Sequence, residues 1–272
     1  MGILYQSTRG QAPELDLRGV ALAGLATDGG LYVPKAWPEF ALKTLESFRQ
    51  RPYVDVAEIL LRPFVTPALP EGTLRNLLQK AYSVFPEASV TPLRQLGEGH
   101  WVIELFHGPT LAFKDIALQL LGHVFEYFLN QDSSRMTVVG ATSGDTGSAA
   151  MAALAGRANI DVFILYPVKG PSEIQRKQMT CIEAPNVHAL AIEGSFDDCQ
   201  AIVKALFADT AFRAEQNLAA VNSINWLRIL AQMVYYFVAA GQTGPARPVS
   251  FAVPTGNFGN VFAGYAAAKC GL

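Results

Sequence analysis

The sequence predicts an α/β protein, a mostly parallel sheet flanked by helices, and three observations carry that expectation. From residue 114 onward, apolar helical stretches alternate with short β-branched runs, the pattern of helices crossing over between parallel strands. Two strand-to-helix junctions, Thr142-Ser-Gly-Asp-Thr-Gly147 and Pro254-Thr-Gly-Asn-Phe-Gly-Asn260, are rich in glycine and small polar residues. Half of the 272 residues are hydrophobic, enough to cover a sheet on both faces.

The first 90 residues read as a helical region with one short extended piece. Leu15 to Ala26 has helical spacing, Asp28-Gly-Gly30 breaks it, and Leu31 to Val33 is extended before Pro34. Pro38 to Phe48, Tyr53 to Leu61 and Pro70 to Phe85 have apolar spacing compatible with helices. Ser7-Thr-Arg-Gly10 reads as a terminal anion contact or, with slight preference, an unordered start. Residues 91–245 read as an α/β domain. It opens on a hairpin within Val90 to Phe106, turning at Gly97-Glu-Gly99. Helices are then expected at Ile116–Phe128, Ser148–Leu154, Ser172–Thr180, Phe196–Ala208 and Asn225–Ala240. Strands are expected at Met136–Ala141, Asp161–Tyr166 and Val187–Ile192. Residues 246–272 read as the start of a further domain, with a strand at Val249–Val253 and a helix from Val261. The chain stops at Leu272, shortly into that helix, so the C-terminal part of the fold is expected to be missing.

Composition narrows the function classes. Charged residues make up 16% and the formal net charge is −2, so no basic excess marks a nucleic-acid partner. Lysines and arginines are scattered singly, which argues against a membrane-surface patch. The most apolar segment, Ile224 to Ala240, carries Asn225, Arg228 and Gln232 and reads as a buried helix rather than a span. Cys181, Cys199 and Cys270 have no paired spacing and read as reduced, buried and inert. With four histidines and no short Cys/His cluster, no metal site is expected. The N-terminus lacks a basic segment followed by an apolar one, and a cytoplasmic location is expected.

Three segments carry candidate chemistry. In the first loop, Ser143, Gly144, Asp145, Thr146 and Gly147 lead from a strand into a helix, where converging backbone N–H groups and the helix dipole suit a carboxylate or phosphate. An ordinary turn with Asp145 as its cap fits the pattern as well, and Asp145 puts negative charge where an anion would sit. In the second loop, Gly256, Asn257, Phe258, Gly259 and Asn260 combine close backbone approach with uncharged amide donors. Neither loop has the dinucleotide or Walker fingerprint. Both follow predicted strands, at the edge where open α/β sheets bind ligands. Lys114, in His107-Gly-Pro-Thr-Leu-Ala-Phe-Lys-Asp115, sits at an apolar helix start, a setting that suits a Schiff-base amine. Asp115 would pair with it or cap the helix. Arg228, with Asn222 and Ser223 upstream, could grip a phosphate or be a surface residue beside a cap. His107 reads as a turn residue, and Trp226, Tyr235 and Tyr236 as core.

Together with Gly24-Leu-Ala-Thr-Asp-Gly-Gly-Leu-Tyr-Val-Pro34 near the start, these motifs closely resemble the threonine synthase family, in its longer form, over nearly the whole chain. The resemblance implies a fold-type II scaffold (tryptophan synthase β-like) that uses pyridoxal 5′-phosphate. It implies that Lys114 bonds the cofactor aldehyde and moves protons, and that Gly256–Asn260 holds the cofactor phosphate. It further implies that Ser143–Gly147 takes the substrate carboxylate, and that Asn222, Ser223 and Arg228 take the substrate phosphate. The reaction implied converts O-phospho-L-homoserine and water to L-threonine and phosphate, a carbon–oxygen lyase step in threonine biosynthesis. The family's partner for the pyridine nitrogen comes from a C-terminal half with no counterpart here. The alternatives are a dehydratase or β-replacement synthase of the same fold type, which would have no use for Arg228, and a truncated non-catalytic relative.

Overall fold

The structure, a computed structural model, describes residues 2–220, 225–244 and 248–272. The chain divides into two compact units, Met1–Gly108 with Ser223–Leu272, and Pro109–Asn222. The helix expected at Asn225–Ala240 and the hairpin before residue 108 thus group with the N-terminal helices, while the α/β elements form the other unit.

The first unit begins with strand β1 (Tyr5–Ser7), helix α1 (Leu17–Ala23) and strand β2 (Tyr32–Pro34), which pairs antiparallel with β1. Asp16 caps α1 by accepting from Gly19 N at 2.8 Å, and Gly24 at φ 66 ends it three residues before the expected Ala26. Asp28 orders the start of the chain: it accepts from Ser7 Oγ at 2.7 Å and from the N–H groups of Gln11, Ala12 and Gly30. The Ser7 hydrogen bond leads in holding its carboxyl down at about 2, and the unordered reading of residues 7–10 gives way to a paired start. Helix α2 covers only Leu42–Glu46, followed by a 3-10 turn at Ser47–Gln50, so the helix expected from Pro38 starts late. Helices α3 (Tyr53–Val65) and α4 (Glu71–Tyr82) pack on each other, and β3 (Leu93–Gly97) and β4 (His100–Ile103) form the expected hairpin.

The second unit is the parallel sheet. Helix α5 (Lys114–Gln131) leads to β5 (Met136–Ala141), α6 (Asp145–Leu154), β6 (Ile160–Pro167), α7 (Glu173–Thr180), β7 (Val187–Ile192), α8 (Phe196–Ala208), α9 (Thr210–Glu215) and β8 (Leu218–Ala220). The strand order is β7-β6-β5-β8, all parallel. The central strands β5 and β6 are apolar and largely buried, as the middle of a covered parallel sheet requires. Capping boxes start α7 (Ser172 with Gln175) and α8 (Ser195 with Asp198). Neither α9 nor β8 was foreseen: each is too short to show a hydrophobic period, and β8 is defined by pairing with β5.

The first unit resumes with α10 (Trp226–Thr243) and α11 (Gly259–Lys269). Helix α10 is buried from Trp226 to Gly241, as the apolar run predicts, and is the core of this unit. Trp226, fully buried, meets the rings of Tyr5, Trp37 and Phe64. No helix among the described residues is long and apolar enough to cross a membrane. The strand expected at Val249–Val253 is not formed: the segment is apolar, but no strand among the described residues pairs with it, and a strand exists only through its partner's hydrogen bonds. Cys199 and Cys270 are buried, with burial pushing the Cys270 thiol up to about 12, whereas Cys181, expected to be buried, is exposed just after α7.

Candidate active site

Lys114 is the first residue of α5, and the turn before it fixes where that helix begins. Thr110 N and Thr110 Oγ1 donate to Asp115 at 2.8 and 2.7 Å, and Ala112 N donates to the same carboxylate at 3.4 Å. Asp115 therefore clamps the turn and does not pair with Lys114. Burial pushes its carboxyl up, partly offset by the Thr110 hydrogen bonds. The Lys114 side chain is 15% exposed, and Nζ donates to Asp145 Oδ1 at 2.6 Å and lies 4.6 Å from the centre of the Phe113 ring.

The first loop joins β5 to α6 in the same unit. Gly144 is the N-cap, and Asp145 is the first helical residue, making no capping bond. The reading of Asp145 as a cap is thus corrected: its carboxylate is drawn to the lysine ammonium instead. Thr142 Oγ1 accepts from Gly144 N at 3.3 Å and Gly147 N at 3.1 Å, so part of the donor set is spent within the loop. Gly147 is a packing glycine. A Cβ there would lie 2.5 Å from Thr142 Cγ2 and 2.8 Å from Ile164 Cγ2. Ser143 is exposed and Thr146 half-buried. The α6 N-terminus still presents its dipole and first-turn N–H groups to an anion.

The other candidates lie in the first unit, on or beside α10. Asn225 caps the helix, accepting from Leu227 N at 2.9 Å and donating to Ala21 O at 3.1 Å. Arg228 is 3% exposed, which removes the reading of a surface arginine, and its charge acts on the Tyr235 phenol. Asn222 and Ser223 lie outside the described residues. In the second loop, Gly256, Asn257 and Phe258 are exposed, and Thr255 Oγ1 donates to Asn257 O at 2.5 Å. Gly259 and Asn260 open α11. Asn260 is held from α10: Tyr235 OH and Tyr236 OH donate to its Oδ1, and Tyr236 OH to its carbonyl at 2.8 Å. With Oδ1 committed, its amide NH₂ remains to donate, as an anion requires. Around the Cβ position of Gly256 no described atom comes within 4 Å, room a phosphate could use. In the second unit an amine is shielded beside a glycine loop, as an aldehyde carbon would need; in the first unit an uncharged donor loop, taken by itself, suits a phosphate.

Residues 84–271 match the protein family described as pyridoxal-phosphate dependent enzyme. The chain belongs to that family. Residues 4–82 match a second family, described as the threonine synthase N terminus. Among similar proteins, threonine synthase of Pseudomonas aeruginosa is 54% identical over 269 residues, 98% of this chain and 57% of that protein. Threonine synthase of Saccharomyces cerevisiae is 45% identical over 287 residues, 99% of this chain and 56% of that one. The crystal structure of PLP-bound threonine synthase from Brucella melitensis superimposes with a TM-score of 0.96 at 50% identity, covering 99% of this chain and 58% of that chain. The α/β fold with a parallel sheet is therefore that of a fold-type II enzyme. The chain spans a little over half the length of the relatives it matches.

Several residues with a part in these sites escaped sequence reading. Gln178, which donates to Thr110 O at 2.9 Å, lies outside every motif, while Thr110 and Thr142 lie inside the quoted motifs with nothing to mark them as tie points. Tyr235 and Tyr236 were expected as core and are buried, yet their hydroxyls also hold Asn260. Their adjacency on an apolar helix gives no hint of that second duty. His107, read as a turn residue, engages Glu104 Oε2 at 2.8 Å, and this contact leads in holding the Glu104 carboxyl below its usual range.

Proposed function

We propose that the chain is the lysine-bearing part of a threonine synthase, acting with pyridoxal 5′-phosphate on O-phospho-L-homoserine and water to give L-threonine and phosphate. One observation carries the reading. The only amine in the sequence motif, Lys114 Nζ, is shielded at the start of α5 and reaches the first glycine loop at 2.6 Å, in a chain similar to threonine synthases along its length.

When bound, the cofactor would supply an electron sink for negative charge at the substrate carbons. Lys114 supplies the amine that anchors the cofactor's aldehyde carbon. Its Nζ, when not bonded to the cofactor, would take and return protons at the substrate's Cα, Cβ and Cγ. Asp145 holds that amine near the loop. The α6 N-terminus, with Ser143 and Thr146, binds the substrate carboxylate through N–H and hydroxyl donors. Gly256, Asn257, Phe258, Gly259 and Asn260 bind the cofactor phosphate, Asn260 being oriented by Tyr235 and Tyr236. Arg228, with Asn222 and Ser223, binds the substrate phosphate in a fork-like grip and offsets the charge that builds as it departs. The partner implied is a small molecule, in a cytoplasmic setting, with no nucleic acid or membrane involved.

The test mixes the chain with pyridoxal 5′-phosphate, reduces with borohydride and maps the added mass. Modification confined to Lys114, absent in Lys114→Ala, is expected. Phosphate release from O-phosphohomoserine, depressed in Arg228→Ala, separates this reading from a dehydratase or β-replacement enzyme. Equal cofactor capture by Lys114→Ala refutes it.

A further inference from the structure

Asp115 has no exposed surface, and nothing in the chemistry above uses its carboxylate. Its oxygens take three donors from the residues just upstream. Oδ2 accepts from Thr110 N at 2.8 Å and Ala112 N at 3.4 Å, and Oδ1 from Thr110 Oγ1 at 2.7 Å. Between the two N–H groups sits Leu111, at φ 58, a left-handed conformation that strains any residue with a Cβ. Leu111 is 69% exposed, so packing does little to offset the strain. The carboxylate holds the turn from within, acting as the anion in a nest of backbone N–H groups. From the outer side, Gln178 of α7 donates to Thr110 O at 2.9 Å and ties the same residue to a second helix. Two residues beyond the turn stands Lys114, whose amine goes to Asp145 and not to its neighbour Asp115. Three converging donors call for an acceptor-only group, which an ionised aspartate is and an asparagine is not.

We propose that Asp115 and Gln178 are a positioning pair: they clamp the 110–112 turn in its strained form and so aim the Lys114 amine at the first glycine loop. The proposal rests on Lys114 being the cofactor lysine and names the residues that preset it. Neither side chain needs to touch cofactor or substrate. Their effect passes through the backbone of residues 110–113 to the first turn of α5. Near-attack geometry is steeply sensitive to displacement, so a turn that relaxes by a fraction of its width slows bond formation without removing the amine.

The experiment compares the parent chain with Asp115→Asn, which keeps the shape but turns an NH₂ toward a donor, and with Gln178→Leu on the partly exposed side. Amide exchange at Thr110 and Ala112 should quicken about tenfold in Asp115→Asn while the middle of α5 keeps its protection. Capture of pyridoxal 5′-phosphate at Lys114, trapped by borohydride, should slow about tenfold in Asp115→Asn, and about threefold to fivefold in Gln178→Leu through one lost hydrogen bond. Affinity for pyridoxamine 5′-phosphate, which has no aldehyde to capture, should stay within about twofold, whereas general collapse of the region lowers it in step with capture. Unchanged exchange at Thr110 and Ala112 overturns the clamp. Parallel loss of both ligands, or undiminished capture, overturns the positioning role. Should Asp115→Asn fail to fold, the same measurements on Gln178→Leu decide. Failure of the parent chain to capture the aldehyde sinks the functional reading instead, and the exchange data still judge the clamp.

Discussion

Two glycines of similar appearance, one in each loop, should respond in opposite ways to the same added methyl group. At Gly147 a Cβ would lie 2.5 Å from Thr142 Cγ2, 2.8 Å from Ile164 Cγ2 and 2.9 Å from Met179 Sδ, beneath the start of α6. Carbon atoms prefer about 3.5–4.0 Å, so three neighbours must move in a packed interior. Overpacking of this kind costs about 1–3 kcal/mol. Alanine's better helix propensity returns at most about 1 kcal/mol. With all three contacts under 3.0 Å the cost lies in the upper part of that range, about 2–3 kcal/mol, so Gly147→Ala should be less stable by a net of about 1–2 kcal/mol. At Gly256, in an exposed loop, no described atom is within 4 Å of the Cβ position. Gly256→Ala should leave stability within about 0.5 kcal/mol of the parent. If that loop closes on the cofactor phosphate, however, the methyl stands between backbone and ligand, and affinity for pyridoxal 5′-phosphate should fall about tenfold or more. Urea denaturation followed by circular dichroism reads the first pair of numbers, and an absorbance titration with the cofactor reads the last. A Gly147→Ala chain as stable as the parent refutes the packing account of the first loop. A Gly256→Ala chain that binds the cofactor as tightly as the parent refutes the phosphate role of the second.

Replacing both Tyr235 and Tyr236 by phenylalanine removes the hydroxyls that hold Asn260. Each lost hydrogen bond is worth about 1 kcal/mol, so cofactor affinity should drop about tenfold in a titration while helix content by circular dichroism is kept. Asp28 has its carboxyl pulled from 3.8 to about 2, chiefly by Ser7 Oγ. A depressed carboxyl stabilises the fold above its unfolded value and loses that contribution as pH falls through the folded one. The urea midpoint of the parent should thus exceed that of Asp28→Asn near neutrality, with the gap closing between pH 3.8 and about 2; a gap that is flat across that window contradicts the assignment. Cys181 is exposed while Cys199 and Cys270 are buried, so a thiol reagent should modify one cysteine in the native chain and three after unfolding.

What could be read from the sequence was what local pattern controls. Met136–Ala141, Val187–Ile192 and Phe196–Ala208 fall at the bounds where the alternation of apolar strand and helix patterns puts them. Burial of α10 follows from its dense apolar character, and the glycine loops open helices as expected. Pairing was not legible. Val249–Val253 has the composition of a strand, but composition cannot supply a neighbour, and Leu218–Ala220 is a strand almost solely because β5 lies beside it. Side-chain partners were equally hidden. Asp115 and Asp145 each stand at a helix start, and sequence offered capping for both but lysine pairing only for Asp115. One gathers three donors from its own turn while the other reaches across to the amine, a division set by three-dimensional direction.

Arg228 and Tyr235 ride on the same α-helix, seven residues apart, so they share a face and are separated by about 10 Å of helical rise. That helix is seated on all sides by aromatic and aliphatic neighbours and cannot shorten or twist without unpacking them. Under the proposed roles, one stiff rod acts as a ruler between two phosphate grips, one reached directly and one through Asn260. Substitutions that slide the rod, such as trimming Trp226 at its base, should detune both grips together, in a fixed ratio, rather than either one alone.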